Sequence, residues 1–328
     1  MAQPLVWMLD DEWDDHSQEE RYFSQIGWRF LVSTSRTLKE DYRLEGRQAD
    51  ALIQQVGFRL PTSLFEGMPN LKIVCVPGVG YDHVHVESAT RRGIWVSNIP
   101  DYCTDEVADH TVAALMYFHR DLRGMDEDVR KGIWDPLRYV KNRRTAETMV
   151  GLVGFGRIGR RVAAKLAALG FRVAAFDRTV GDGMFREMGV TRLPIEMLME
   201  KCDYVSLHLP ATPETEGMLD AELLGKMPSH GVLINTSRGS VVDEAALVAL
   251  LVRGKIRGAA LDVFQVEPLP ADHVLRRLPN VLLSPHAAYV TRESIDELKQ
   301  KVCREVTLAV EGHKPVYALN RPQGSHRA

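Results

Sequence analysis

Residues 149–170 read MVGLVGFGRIGRRVAAKLAALG. An apolar run, Met149–Val153, meets a G-x-G-x-x-G turn made by Gly154, Gly156 and Gly159. Ile158, Val162, Ala163, Leu166 and Leu169 then recur at helical spacing until Gly170. The pattern predicts a strand, a tight turn and a helix closed by glycine. The glycines of the turn differ in role, since Gly154 permits the turn, Gly156 lets backbone approach a pyrophosphate, and Gly159 lets helix pack on strand. The helix N-terminus adds N–H donors and partial positive charge for the phosphates. Asp177 closes the next apolar run, 18 residues beyond Gly159, where a carboxylate hydrogen-bonds a ribose hydroxyl pair and repels a 2′-phosphate. These residues specify a dinucleotide site that prefers NAD to NADP, with Arg178 beside the acid working against that preference.

Outward from this turn, apolar runs at 172–176, 204–209, 232–235, 259–263 and 281–283 alternate with helical patterns. With Met149–Val153 they predict six strands of a doubly wound α/β sheet. On the other side, a polar loop over residues 131–144 follows a helix that Thr104 caps, with Val107, Thr111, Leu115, Phe118 and Leu122 on one stripe. Before it, the runs 5–9, 51–54, 72–76 and 95–96 predict a smaller α/β layer, their continuous apolarity marking strands buried on both faces. Thr291 caps a final helix whose stripe of Ile295, Leu298, Val302, Val306 and Ala309 ends at Gly312. That helix is expected to return the chain to the first lobe. The expected organisation is therefore a discontinuous domain, residues 1–100 with 291–328, around an inserted domain at 101–290.

Length and composition agree: 328 residues suit two cores better than one, and 45% hydrophobic with 26% charged residues is ordinary for a globular chain. A net charge of −3 gives no reason to expect a nucleic-acid partner. No apolar stretch approaches the roughly 20 residues that span a bilayer, and the start lacks a basic leader region, so neither a membrane nor an exported protein is expected. Cys75, Cys103, Cys202 and Cys303 lie far apart with no C-x-x-C pair, which fits the cytoplasm and no metal. The acidic run Asp10, Asp11, Glu12, Asp14, Asp15 with His16 is read as a solvated loop. His83 and His85, two residues apart, would share a face on a strand.

Three ionisable residues fall at predicted strand ends, where doubly wound sheets place ligands: Arg238 in NTSRGS, Glu267 in DVFQVEP and His286 in LLSPHAA. An arginine clamps a carboxylate in a bidentate fork. A histidine exchanges a proton with an alcohol or carbonyl oxygen near neutral pH, and a glutamate beside it stabilises the imidazolium and orients the ring. Together they suit reversible hydride transfer between a 2-keto acid and a 2-hydroxy acid, with His286 protonating the forming alkoxide and Arg238 holding the acid.

The segments PGVGYDHV, NIPDYCTDEVADHTVA, GLVGFGRIG, LHLPATPET, LINTSRGSVVDEAAL, GAALDVFQVEPLP and NVLLSPHAA, in this order between about Leu71 and Thr291, resemble the D-isomer-specific 2-hydroxyacid dehydrogenase family. The resemblance implies two doubly wound α/β domains, a Rossmann coenzyme domain inserted in a flavodoxin-like substrate domain, with the active site in the cleft and a homodimer. It implies Arg238, Glu267 and His286 as the catalytic set. Val79 and Gly80 would bind the substrate carboxylate through backbone N–H groups. Arg157 and Ile158 would face the pyrophosphate and Asp177 the ribose. Thr236, Ser237, Arg238 and Asp262 would lie on the nicotinamide side, with His208 and Pro210 at the adenine end. The implied cofactor is NAD, and the partners are a small 2-keto or 2-hydroxy acid and a second copy of the chain.

Two departures narrow the subtype. Tyr81-Asp82-His83-Val84-His85 stands where many members read G-x-D-N-I-D, and the domain-sized C-terminal extension of the longer phosphoglycerate dehydrogenases is missing, so serine control is not expected. Hydroxypyruvate or glyoxylate reduction is the first expectation and 3-phosphoglycerate oxidation the second. The alternative is an NAD(H)-sensing binding module like the C-terminal-binding-protein corepressors. These carry Trp three residues after the histidine, where this chain has Tyr289. Trp134 and Arg138, on the loop before the Gly-rich turn, are candidates for either a cleft cover or a dimer contact.

Overall fold

The structure, a computed structural model, describes residues 3–322; the outermost ends of the chain, residues 1–2 and 323–328, lie outside the described residues. The chain divides into two compact units, Met1–Tyr102 with Thr291–Ala328, and Cys103–Val290.

In the first unit, β1 (Leu5–Leu9), β2 (Arg29–Ser33), β3 (Ala51–Gln54), β4 (Ile73–Cys75) and β5 (Trp95–Ser97) form a sheet of order β2-β1-β3-β4-β5, every pairing parallel. β1 and β3 are buried throughout, as their unbroken apolarity demands. β2, an edge strand, carries the short apolar run Phe30-Leu31-Val32 that the sequence reading leaves out; only its Ser33 is buried, and the Ser33 hydroxyl accepts the Trp7 indole N–H at 2.8 Å. The final helix, Arg292–Val310, starts in a capping box: Thr291 accepts the Ser294 N–H at 3.0 Å and Ser294 accepts that of Thr291 at 2.9 Å. It buries Leu298, Val302, Val306 and Ala309. His83 and His85 lie on no strand. They occupy a turn in which His83 is buried and His85 exposed.

In the second unit, β6 (Met149–Val153), β7 (Arg172–Phe176), β8 (Thr191–Arg192), β9 (Tyr204–Leu207), β10 (Val232–Asn235), β11 (Gly258–Leu261) and β12 (Val281–Leu283) form a parallel sheet of order β12-β11-β10-β9-β6-β7-β8. The sheet has seven strands rather than six, because β8 is a two-residue exposed edge without an apolar signature. β9 stops at Leu207 and β11 at Leu261, two residues short of the apolar runs that predict them. The residues beyond, His208 and Asp262, turn out of the ladder into the site described below. The helix Thr104–Arg120 has Cys103, not Thr104, at its N-cap and ends at Asp121, whose φ of 51° is left-handed. Leu122 therefore belongs to the following helix, Leu122–Arg130, and is exposed. Strand order reverses between β6 and β9, the switch point at which such sheets bind ligands. Phe155, Leu152, Val162 and Leu166 are fully buried beneath the turn after β6, each contributing roughly 1.5–3 kcal/mol, so the turn rests on a rigid floor.

Candidate active site

The residues singled out by sequence in the second unit lie on turns at the C-terminal ends of neighbouring strands. After β6, Gly154 has φ +98°, and a Cβ there would lie 2.4 Å from the His208 carbonyl oxygen beyond β9. A Cβ on Gly159 would lie 2.3 Å from the Gly154 carbonyl oxygen. These two glycines are thus demanded by backbone approach. Gly156 differs: it caps the helix Arg157–Ala168, is exposed, and has nothing within 4 Å of an added Cβ. The space at this helix N-terminus fits a pyrophosphate. The Asp177 carboxylate, at the end of β7, accepts Phe155 N–H at 2.7 Å, Thr179 N–H at 2.8 Å and Val180 N–H at 3.0 Å. Burial raises its pKa, and these backbone donors with the Thr179 hydroxyl more than offset that, leaving it below the usual carboxylate range. It is a charged group built into the turn. His208 is half-buried with Nε2 3.0 Å from Ser206 Oγ, and burial pushes its pKa down to about 4. Its ring is therefore neutral near pH 7. Pro210 is exposed beside it, its carbonyl accepting the Thr215 hydroxyl at 2.6 Å.

At the ends of β10, β11 and β12 stand the three proposed reacting residues. The buried Asn235 side chain shapes the first turn: Oδ1 accepts the Ser237 N–H and hydroxyl at 3.0 and 2.9 Å, while Nδ2 donates to the Arg238 carbonyl at 2.9 Å. A Cβ on Gly239 would lie 2.0 Å from the Phe264 carbonyl, so only glycine lets this turn close on the Glu267 loop. Glu267 Oε1 accepts Phe264 N–H at 2.9 Å, and Oε2 is 2.7 Å from His286 Nδ1. Burial raises the Glu267 pKa, but the His286 hydrogen bond and charge, the Phe264 N–H and the Arg238 charge outweigh it, so the net shift is downward. Glu267 is a carboxylate that accepts from both neighbours. With Nδ1–H committed to it, Nε2 is the imidazole atom left to exchange a proton.

His286 has φ 52°, in the left-handed region. Its N–H donates to the Asp262 carbonyl at 2.8 Å, and the Asp262 carboxylate accepts Ala287 N–H at 2.9 Å and Ala288 N–H at 3.0 Å. Asp262, which the resemblance puts on the nicotinamide side, thus also anchors the turn that carries the histidine. Thr236 faces the helix Thr104–Arg120: Thr111 gives its proton to the Val107 carbonyl, so Thr236 donates to Thr111 Oγ1 at 3.0 Å. Asn235 and Ser284 are organising residues that motif reading passes over: each is a small polar residue at a strand end, Asn235 satisfying the backbone of the Arg238 turn and Ser284 donating its hydroxyl to the Asp262 carboxylate. In the first unit, Val79 and Gly80 follow β4 on a loop held by Asn98, whose amide donates to the Val79 carbonyl at 2.6 Å.

The pattern defining the NAD binding domain of the D-isomer specific 2-hydroxyacid dehydrogenases matches residues 112–288, more than half of the chain. A glyoxylate reductase of Korarchaeum cryptofilum is 38% identical over 279 residues, 84% of each chain. The chain belongs to the D-isomer-specific 2-hydroxyacid dehydrogenases. As a member of that family it is an oxidoreductase with an NAD-binding domain. Among solved structures, the NADPH-dependent glyoxylate/hydroxypyruvate reductase of Sinorhizobium meliloti, in complex with NADP and malonate, is 31% identical at a TM-score of 0.82, covering 100% of both chains. A D-lactate dehydrogenase from Aquifex aeolicus, complexed with NAD and lactic acid, is 29% identical at 0.85, covering 94% of this chain and 96% of its own. Both coenzymes thus occur on this fold. No helix among the described residues is long and apolar enough to cross a membrane.

Proposed function

We propose that the chain reduces a small 2-keto acid, glyoxylate or hydroxypyruvate first, to the D-2-hydroxy acid. The observation that carries this is the 2.7 Å contact between His286 Nδ1 and Glu267 Oε2, with Arg238 near enough for its charge to act on the same carboxylate. NADH, when bound, supplies the hydride to the carbonyl carbon. His286 Nε2 gives its proton to the carbonyl oxygen, and the imidazole returns to the neutral form with Nδ1–H still held by Glu267. Arg238 binds the substrate carboxylate and polarises the adjacent carbonyl. Oxidation runs the same path backward, neutral Nε2 taking the hydroxyl proton. Val79 and Gly80 are the first unit's proposed carboxylate-binding residues.

Gly154, Gly156, Arg157, Ile158 and Gly159 would hold the pyrophosphate, and the ionised Asp177 favours NAD by repelling a 2′-phosphate. Unit Cys103–Val290 is accordingly proposed as the coenzyme domain and the discontinuous unit as the substrate domain. A homodimer is proposed with residues 122–140 in its contact, since Trp134, Leu137 and Val140 are 86%, 75% and 77% exposed, a run of apolar surface that monomers rarely present. The four cysteines, all buried and none in a disulfide among the described residues, support a reducing cytoplasm.

The test is NADH and NADPH oxidation with glyoxylate, hydroxypyruvate, pyruvate, phenylpyruvate, oxaloacetate and 3-phosphohydroxypyruvate, using His286→Asn as control. Preferred turnover of a two- or three-carbon keto acid with NADH, lost in the variant, is expected. NADH binding without turnover of any acid would instead indicate a binding module.

A further inference from the structure

Behind the His286 turn runs a chain of polar groups that the reaction above does not use. His110 lies on the helix Thr104–Arg120, with Nε2 3.1 Å from Ser284 Oγ. Ser284 Oγ is in turn 2.6 Å from Asp262 Oδ1, to which it donates. Asp262 is 2% exposed, and its carboxylate takes the N–H groups of Ala287 and Ala288. The cavity bounded by His110, Thr236, Asp262 and Ser284 measures about 10 Å³, room for at most one water. The Asp262 carboxylate is buried here, and His110 and Ser284 are half-buried.

Proton counting gives the chain a direction. An ionised carboxylate only accepts, and a serine hydroxyl carries one proton. Ser284 therefore spends that proton on Asp262, and its contact with His110 is made only if His110 presents Nε2–H. We propose that His110 is a positioning residue of the hydride-transfer site: its Nε2–H directs the Ser284 proton onto Asp262, which holds residues 286–288 in the turn that aims His286. The need for such a hold is local. His286 is a non-glycine residue in left-handed backbone, a conformation that persists only where surrounding contacts impose it. This inference rests on the acid–base reading of His286.

The experiment compares His110→Leu, His110→Gln, Ser284→Ala and the His110→Leu/Ser284→Ala double variant, alongside nitrogen-15 histidine NMR of the ligand-free protein. In His110→Leu, kcat is expected to fall roughly tenfold through misplacement of His286, with the KM for glyoxylate and the Kd for NADH within about threefold of wild type. Gln carries an amide N–H in place of Nε2–H, so His110→Gln should recover kcat to within about threefold. Ser284→Ala should match His110→Leu, and the double variant should be no worse, because one chain is broken once. In wild type the His110 signal should be that of an Nε2–H tautomer with a slowly exchanging proton, exchanging rapidly in Ser284→Ala. An unchanged kcat in His110→Leu, a Gln variant as impaired as Leu, or an Nδ1–H tautomer in wild type would each overturn the proposal. Should His110→Leu fail to fold, the wild-type tautomer and the Gln variant still decide. Failure of the acid–base reading would appear separately, as full turnover in His286→Asn, and would leave the His110 tautomer unchanged.

Discussion

Two turns at the C-terminal edge of one sheet take left-handed backbone by opposite means. After β6, Gly154 reaches φ +98° with no side chain, and the His208 carbonyl fills the place a Cβ would need. After β12, His286 reaches φ 52° as a full imidazole, in a region that costs an L-residue about 1–2 kcal/mol. The second turn offsets that cost with a buried carboxylate, Asp262, which receives two backbone N–H groups while its carbonyl takes that of His286. A turn that binds through its backbone is best made of glycine. One that must present a proton donor carries the side chain and the buried scaffold that supports it.

The contrast breaks most sharply at His286 itself. His286→Asn should lower kcat by about a thousandfold, within the range of a lost general acid, while NADH affinity measured by fluorescence stays near wild type. Gly154→Ala should do the reverse. Strain of about 1–3 kcal/mol with a backbone clash should weaken NADH binding by about 100-fold, and kcat at saturating NADH should suffer less. If both variants lost the same property, the two turns would not have separate roles.

Glu267→Gln sharpens the chemistry of the second turn. It should reduce turnover at neutral pH by about 10- to 100-fold, because a neutral amide replaces the charged acceptor that holds His286 Nδ1–H. Glu267 has a lowered folded pKa, so its contribution to stability is complete above the ordinary glutamate value of about 4.3 and is lost as pH falls through the lower folded value. Thermal melts of wild type and variant should therefore converge only in acid below that range; convergence near neutral pH would contradict the assignment. The smallest effect belongs to Asp177→Ala, expected to weaken NAD by about tenfold and NADP by less. Equal losses would show that the carboxylate serves the turn alone.

The fold was legible wherever burial on both faces left a continuous apolar run, as in β1, β3 and β6. It was missed at β8, a two-residue edge without that run, and at β2, whose run Phe30–Val32 is short and only half-buried, and overextended at the ends of β9 and β11, where apolar sequence continues after the ladder stops. Arg238, Glu267 and His286 announce themselves as ionisable residues at strand ends. Asn235, Ser284 and His110 do not, since a small polar residue at a strand end or a histidine on a helix has the same appearance anywhere in a sequence. Their roles exist only in the hydrogen bonds that the fold assembles.

The most direct test of the central claim follows the hydride. Hydroxypyruvate is reduced with NADH deuterated on the transferred face of C4, and the glycerate is isolated. Deuterium at C2 of D-glycerate, absent with His286→Asn, is the predicted result. Unlabelled NAD-independent product, L-glycerate, or bound NADH with no transfer would contradict the account.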